Sequence, residues 1–476
     1  MFSLLKPASP APPLPEDKVP GAFFGYRLRV FAGIFLGYVA YYLLRKNFTL
    51  AGPYLTELGF SKTELGFAMA GVALAYGISK FVMGAVSDRS NARNFLTLGL
   101  VITAFLTILA GVFASPSVLQ SVWASHGITI GGKTIKMILL IWFVIQLLIG
   151  WFGGCGWPPC ARVLTHWFSP SERGRTFALW NCAHNIGGGS IAPLAALGVA
   201  IFTAAHWEYG VFYLPATLAL VLAFIVWLLI RDTPQSCGLP PVEVFRKDFP
   251  PEYSEKSEQE LTAREMIFRF VLNNRILWCV GVANAFVYLI RYGVLDWAPT
   301  YLSEVKGYDI HEYGAAYFLF EFAAIPGTLL CGWLSDKLFR GRHALTTILF
   351  MALTLFFVLL YWLNPTGSKL IDMIALVAIG FLIYGPVMLT GGVLPIEFVP
   401  KKAAGTAAGF MGFWGYFIGT AFFAQCLMGI IVDNAGWNGG FIFLTSGCLV
   451  CIFFLILAAV GEEKMRRNTK KVEEKE

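Results

Sequence analysis

Charge is scarce in this chain. Asp, Glu, Lys and Arg make up only 14% of its 476 residues, where a soluble protein carries about 25%. A disulfide framework is excluded as well. The nine cysteines are an odd number, and Cys155, Cys182, Cys279, Cys331 and Cys426 fall inside apolar runs. Cys448-Leu-Val-Cys451 has Cys-x-x-Cys spacing, but its place in a lipid-length apolar helix argues against a redox or metal role. No cleavable signal peptide is expected either: Met1-Phe-Ser-Leu-Leu-Lys6 runs into a Pro-rich polar stretch to Gly21 with no apolar region of the right length. Membrane insertion is therefore expected to be directed by the first span. Gly127-Ile-Thr-Ile-Gly-Gly-Lys133-Thr134 fits a nucleotide-loop pattern, yet no strand precedes it and a membrane span follows at once. ATP binding is declined, and no cofactor or metal is expected.

What the chain has in abundance is apolar sequence. It is 57% hydrophobic with a mean hydropathy of +0.65, and the apolar residues come in long blocks. That composition describes an all-α membrane protein whose surface faces lipid. The formal charge of +7 does not imply a nucleic-acid partner, because the basic residues lie in short loops between spans. Apolar runs predict helices near 28–50, 64–86, 94–114, 137–157, 175–202 and 209–230, then near 275–302, 312–334, 344–363, 371–394, 403–431 and 438–461. Even-numbered connections carry Arg89, Arg93, Arg162, Arg173, Arg175, Lys337, Arg340, Arg342, Lys401 and Lys402. Odd-numbered ones carry only Lys62, Lys133, Lys136, Lys306 and Lys369. The basic bias puts both termini in the cytoplasm. The expected divisions are a cytoplasmic segment 1–27, a six-helix bundle 28–230, a cytoplasmic linker 231–274, a second six-helix bundle 275–461 and a cytoplasmic tail 462–476. Within the linker, Thr262-Ala-Arg-Glu265 reads as a capping box before an apolar face of Met266, Ile267, Phe270 and Val271, which predicts a short helix on the membrane surface.

The halves repeat. Gly84-Ala-Val-Ser-Asp88-Arg89 and Gly332-Trp-Leu-Ser-Asp336-Lys337 are offset by 248 positions, and Arg45 and Arg291 by 246. Two unrelated features in nearly one register argue for tandem six-helix repeats with a site at their interface.

The two arginines carry the functional reading. A charged residue at mid-bilayer costs roughly 2.5–3.5 kcal/mol on insertion scales, so Arg45 and Arg291 are kept for a polar interior or an anion. Tyr38, Tyr42 and Arg45 are spaced i, i+4, i+7, and Asn284, Tyr288 and Arg291 repeat the arrangement. Arginine offers a planar fork matched to phosphate oxygens and stays charged when desolvated. A pair, one from each half, would balance one dianion. The competing reading pairs each arginine with an intramembrane carboxylate such as Asp296 or Glu321. Asn181 and His184, i and i+3, precede Gly187-Gly-Gly189, a run that lets helices approach closely. By itself His184 is more often a satisfied structural residue. Lys80, four residues after Tyr76, either faces the pathway or snorkels to the interface. Asp88 and Asp336 read as gate and loop anchors. Lys46, about 100° around a helix from Arg45, is a candidate partner of Asp296 or Glu321 in switching conformation.

Gly-x-x-x-Asp-Arg/Lys after the second and eighth helices resembles the loop signature of the major facilitator superfamily. Tyr42-Leu-Leu-Arg-Lys-Asn47, Trp180-Asn-Cys-Ala-His-Asn-Ile-Gly-Gly-Gly189, Asp232-Thr-Pro-Gln-Ser-Cys-Gly238 and Pro400-Lys-Lys-Ala-Ala-Gly-Thr406 resemble, more specifically, the organophosphate:phosphate antiporters. This resemblance runs essentially end to end. It implies exchange of a small organic phosphate, sn-glycerol 3-phosphate foremost, for inorganic phosphate across a bacterial inner membrane, with no enzymatic step. It further implies that Arg45 and Arg291 bind phosphate, that His184 and Lys80 assist, and that Tyr38, Tyr42, Tyr76, Tyr288, Tyr384 and Tyr416 line the cavity. Hexose-phosphate members carry an Asp and a Lys where this chain has Ala408 and Met411, a departure that favours a smaller substrate. The expected partners are the two phosphates and the lipid bilayer, with the chain working as a monomer. A membrane sensor of sugar phosphates and a proton-coupled exporter remain open alternatives.

Overall fold

The computed structural model describes residues 5–119, 121, 127–130, 133–248, 266–399 and 403–473. Among them, ten helical segments are long and apolar enough to cross a membrane. Each is about as long as a bilayer core requires, roughly 20 residues or more, because a buried backbone must satisfy its own hydrogen bonds. The expected helix near 64–86 is present as Lys62–Ser87. The expected last two are one apolar run, Thr406–Lys464, interrupted at Gly436, whose φ of 67° is open to glycine but costly for other residues.

Several spans are broken inside what the sequence predicts as single helices. The first comprises Val19–Leu43 and Asn47–Glu57, with residues 44–46 in a turn. The fourth comprises Met137–Gly153 and Trp157–Trp167. The seventh comprises Arg275–Leu295 and Ala298–Lys306. Pro53 and Pro299 sit in the second piece of the first and seventh, again 246 positions apart. Gly127–Ile130 and Lys133–Lys136 form a small antiparallel hairpin in which Ile130 faces Lys133. Its ladder uses backbone groups that a nucleotide loop would need for phosphate. The expected capping box at 262–265 lies outside the described residues, and Met266–Leu272 is a single π-type turn.

The chain divides into two compact units: Met1–Ala51 with Leu74–Ser257, and Gly52–Ala73 with Glu258–Glu476. The first has a core around Phe23, Ile34, Trp167, Trp180 and Val226. A buried carboxylate, Asp232, ties its end together. It accepts from the Ala8 and Ala92 amides at 3.1 and 3.0 Å and lies 3.4 Å from the Arg162 guanidinium. Arg162 also donates to the carbonyls of Ser87, Asp88 and Ser90, so it holds the loop that bears Asp88. Asp248, beyond the last span of this unit, accepts from the Ser171 hydroxyl and amide, which hold its carboxyl below the usual range.

In the second unit the corresponding cap is Glu462, which accepts from the His343 and Ala344 amides at 2.9 and 3.2 Å. His343 bonds the Ser335 hydroxyl beside Asp336 and meets Glu397 at 3.0 Å. Lys306, expected in a connection between spans, is buried against Asp372 at 3.3 Å. The Asp372 carboxylate also accepts from Tyr308 and Asn364, which offsets the cost of burying the charge.

Candidate substrate site

In the first unit the site is built on Val19–Leu43 and Pro170–Phe202. Gly187 brings the two helices together: a Cβ there would stand 2.4 Å from the Val39 carbonyl and 2.8 Å from the Tyr42 Cβ. Trp180 donates to the Ile34 carbonyl at 3.2 Å, and its ring stacks on Tyr38 at 4.5 Å. Tyr42 stands edge-on to Tyr38 at 5.2 Å and reaches the His184 ring at 5.5 Å. Arg45, half-buried, lies over the Tyr76 ring at 4.1 Å and donates to the Tyr42 hydroxyl at 3.2 Å. Lys80 is exposed, its Nζ 5.0 Å from the Trp157 ring.

Arg45 and Lys46 occupy the turn between the two halves of the first span, which corrects the expectation of one continuous helix. The Arg45 amide bonds the Tyr42 carbonyl in the tightened last turn. Tyr42 and Arg45 still meet, because three residues of a tight turn also bring side chains to one side. His184 Nδ1 bonds the Asn181 carbonyl. A carbonyl only accepts, so Nδ1 carries a proton; Nε2 then accepts in the neutral ring and donates in the imidazolium.

In the second unit, Arg291 sits near the end of Arg275–Leu295, one turn before the break, and is only 6% exposed. Its guanidinium lies between the rings of Tyr384 and Tyr292, at 4.0 and 4.7 Å. It donates from Nη2 to the Tyr384 hydroxyl at 2.9 Å. That hydroxyl is in turn within hydrogen bonding of Glu321. Close helix approach makes this possible. Gly327 fits beneath the Phe381 carbonyl and Gly380 beneath the Phe320 carbonyl, where a Cβ would stand 1.8 and 2.2 Å away. Glu321 and Tyr384 are thus pressed onto one side of Arg291. Arg291 Nε and the Tyr317 hydroxyl are buried without a hydrogen-bond partner. A buried donor on a charged group left unmade costs more than the ~1–3 kcal/mol of a neutral one, a debt that an incoming oxyanion would settle.

The remaining expected residues have other surroundings. Tyr288 and Tyr416 pair edge-on at 5.2 Å, with Tyr292 5.9 Å from Tyr288. Asn284, which shares the face of Tyr288 and Arg291, is a packing residue: it donates to the Met411 carbonyl and accepts from Thr390, both at 2.8 Å. Asp296 lies one turn beyond Arg291 and accepts from Gln425 at 2.9 Å. Asp88 and Asp336 are exposed at helix ends, outside these ring-walled clusters. Residue patterns did not point to Tyr292, Tyr317, Trp157 or Trp180. Trp180 carried the one available signal, its place beside Asn181.

Arg45 and Arg291 thus each lie among tyrosine rings in a polytopic helical protein. The chain belongs to the Major Facilitator Superfamily, whose profile matches residues 34–424. It is 52% identical to the glycerol-3-phosphate transporter of Bacillus subtilis, over 96% of this chain and 98% of that one. It is 45% identical to the glycerol-3-phosphate transporter of Haemophilus influenzae, over 98% of each. Among solved structures, a bacterial homologue of the human lysosomal transporter Spinster, inward-facing and unoccupied, superimposes with a TM-score of 0.64. It covers 91% of this chain and 96% of that one at 18% identity, a likeness of fold.

Proposed function

We propose that the chain is an antiporter exchanging sn-glycerol 3-phosphate for inorganic phosphate by alternating access across a bacterial inner membrane. The observation that carries this reading is the matched pair of tyrosine-walled arginines, Arg45 in the first unit and Arg291 in the second. The names borne by the two relatives support the choice of substrate. Met411 supports a small one, because its side chain is wholly buried in an apolar cluster with Leu277 and Val280 and offers nothing to sugar hydroxyls.

In this reading the phosphate is bound by Arg45, Arg291, His184 and Lys80, with Asn181 and the tyrosines Tyr38, Tyr42, Tyr76, Tyr288, Tyr384 and Tyr416 around it. Lys46, Asp296 and Glu321 shift partners as the site fills, and Asp88 and Asp336 anchor the loops that gate it. The ten segments, with Lys62–Ser87 added and the last run crossing twice about Gly436, make twelve spans. They form two six-helix bundles, 28–230 and 275–461. The linker 231–274, the segment 1–27 and the tail 462–476 are cytoplasmic, and a monomer suffices.

Two like charges in a poorly screened cavity repel each other. Phosphate, free or esterified, neutralises them and permits the switch between outward and inward access, whereas a vacant site does not. Exchange follows, driven by the outward phosphate gradient without ATP. The test is efflux of labelled phosphate from proteoliposomes. External glycerol 3-phosphate should accelerate it and compete better than hexose 6-phosphates; efficient one-way loss into buffer free of any counter-substrate refutes the exchange.

A further inference from the structure

Three arginines of the first unit meet at the end of one span. The helix Leu214–Leu229 packs between Val19–Leu43 and Ala92–Ala114. Arg29 comes from one neighbour, Arg93 from the other, and Arg231 from the chain just past the helix. Arg29 Nη2 and Arg231 Nη1 both face the Leu228 carbonyl, at 3.5 and 2.9 Å. Arg231 Nη1 also donates to the Ile230 carbonyl at 2.8 Å. Arg93 donates from Nε to the Trp227 carbonyl and lies 4.0 Å over the Trp227 ring. The carbonyls of a last turn lack partners within their helix and carry the negative end of its dipole, so cations gather there.

The positive charge is in excess. A helix end supplies about half a negative charge, which three guanidiniums exceed several times over. Among the described residues, none of the three is in an ion pair with a carboxylate, and Arg93 feels Arg231 as a like charge. Asp232, next in the chain, is already spent on the Ala8 and Ala92 amides and on Arg162. Other arginines at this end are matched: Arg27 and Arg246 with Glu172, Arg162 with Asp232, and Arg173 with Glu243.

What surrounds the arginines says which anion fits. Trp227, Leu228 and Phe224, in the turns just before Arg231, are exposed, and so is Leu28 beside Arg29. The Phe224 and Trp227 rings stack at 6.5 Å, and tryptophan is the residue of the membrane–water boundary. A free anion needs no apolar wall; one esterified to acyl chains does. We propose that Arg29, Arg93 and Arg231 form a headgroup site for one anionic phospholipid. Its phosphate bridges the guanidiniums, whose forks match phosphate oxygens, and its acyl chains lie on Phe224, Trp227 and Leu228. Bound there, the lipid ties three helices together at one end, as basic pockets between spans do for anionic headgroups. The site is separate from Arg45, which lies roughly 24 Å farther along the chain of Arg29 at 1.5 Å per helical residue. It holds whether or not the chain exchanges phosphates.

The test is lipid competition on the full chain in detergent, read by native mass spectrometry. Offered phosphatidylglycerol and phosphatidylethanolamine in equal amounts, the native chain should retain phosphatidylglycerol in preference. Arg93→Gln with Arg231→Gln should weaken that retention roughly twenty-fivefold, at about fivefold for each arginine, and leave phosphatidylethanolamine unaffected. Arg175→Gln, an exposed arginine at the start of another helix, should change neither. Equal retention of the two lipids by the native chain, an unchanged preference in the double variant, or an equal loss in Arg175→Gln overturns the site and leaves the three arginines as helix caps. A second arm uses the native chain alone. Phosphatidylglycerol should raise its melting temperature above that in phosphatidylethanolamine, and millimolar inorganic phosphate should not displace the bound lipid. Displacement would make this a site for soluble anions, and no difference in melting temperature would make it no site; either result refutes the proposal.

Discussion

Replacing Arg291 with lysine keeps the charge and removes the fork. In the native site the guanidinium is 6% exposed, gives Nη2 to the Tyr384 hydroxyl at 2.9 Å and keeps Nε unpaired. Lysine would still place a cation between the Tyr384 and Tyr292 rings, which now flank the guanidinium at 4.0 and 4.7 Å, so folding should survive. What it cannot do is present two parallel N–H groups to two phosphate oxygens. The loss is about one charge-assisted hydrogen bond, on the order of 1.5–3 kcal/mol, or roughly ten- to a hundredfold in affinity. Arg45→Lys should cost less, because Arg45 is only half-buried and a hydrated ammonium can substitute there more freely. Equilibrium binding of labelled phosphate to the purified proteins measures both. If Arg291→Lys binds phosphate within threefold of the native chain at an unchanged melting temperature, the phosphate does not sit on this guanidinium.

Three further outcomes follow from the same geometry. His184 holds an Nδ1 proton against the Asn181 carbonyl, so only the imidazolium can donate to phosphate through Nε2. His184→Gln, which can carry no charge, should weaken phosphate binding in calorimetric titrations at fixed pH, and an unchanged affinity would remove His184 from the site. Gly187→Ala puts a methyl group 2.4 Å from the Val39 carbonyl; it should destabilise the protein by about 1–3 kcal/mol, whereas Gly412→Ala, with nothing within 4 Å, should leave the detergent melting curve in place. Asp232→Asn strips the charge that balances Arg162 and weakens the cap on Ala92. About 3–5 kcal/mol of stability should be lost, and an unchanged melting temperature would show that the Asp232 cluster is dispensable.

Much of the fold was legible in residue order, for a physical reason. A bilayer demands about 20 apolar residues per crossing, so the span pattern is written locally and survives without knowledge of neighbours. The arginines were legible too, since a charge in an apolar run is costly wherever it lies. The breaks were not. Residues 44–46 sit inside the helix expected over 28–50, and helical periodicity alone would have carried Arg45 straight through it.

Sequence alone determined that this is a polytopic helical protein, with Arg45 and Arg291 in apolar runs and tyrosines at helical spacing beside each. Tertiary structure decided that Arg291 is the desolvated member of the pair and that Tyr292 and Tyr384 wall it. It also decided that Asn284 is structural and that residues 52–73 are held by the second unit rather than the first. The surroundings of Arg291 depend on backbone approach at particular glycines, Gly327 and Gly380, against carbonyls far away in the chain. A glycine's neighbours are set by the packing of whole helices, and local residue order carries no record of them.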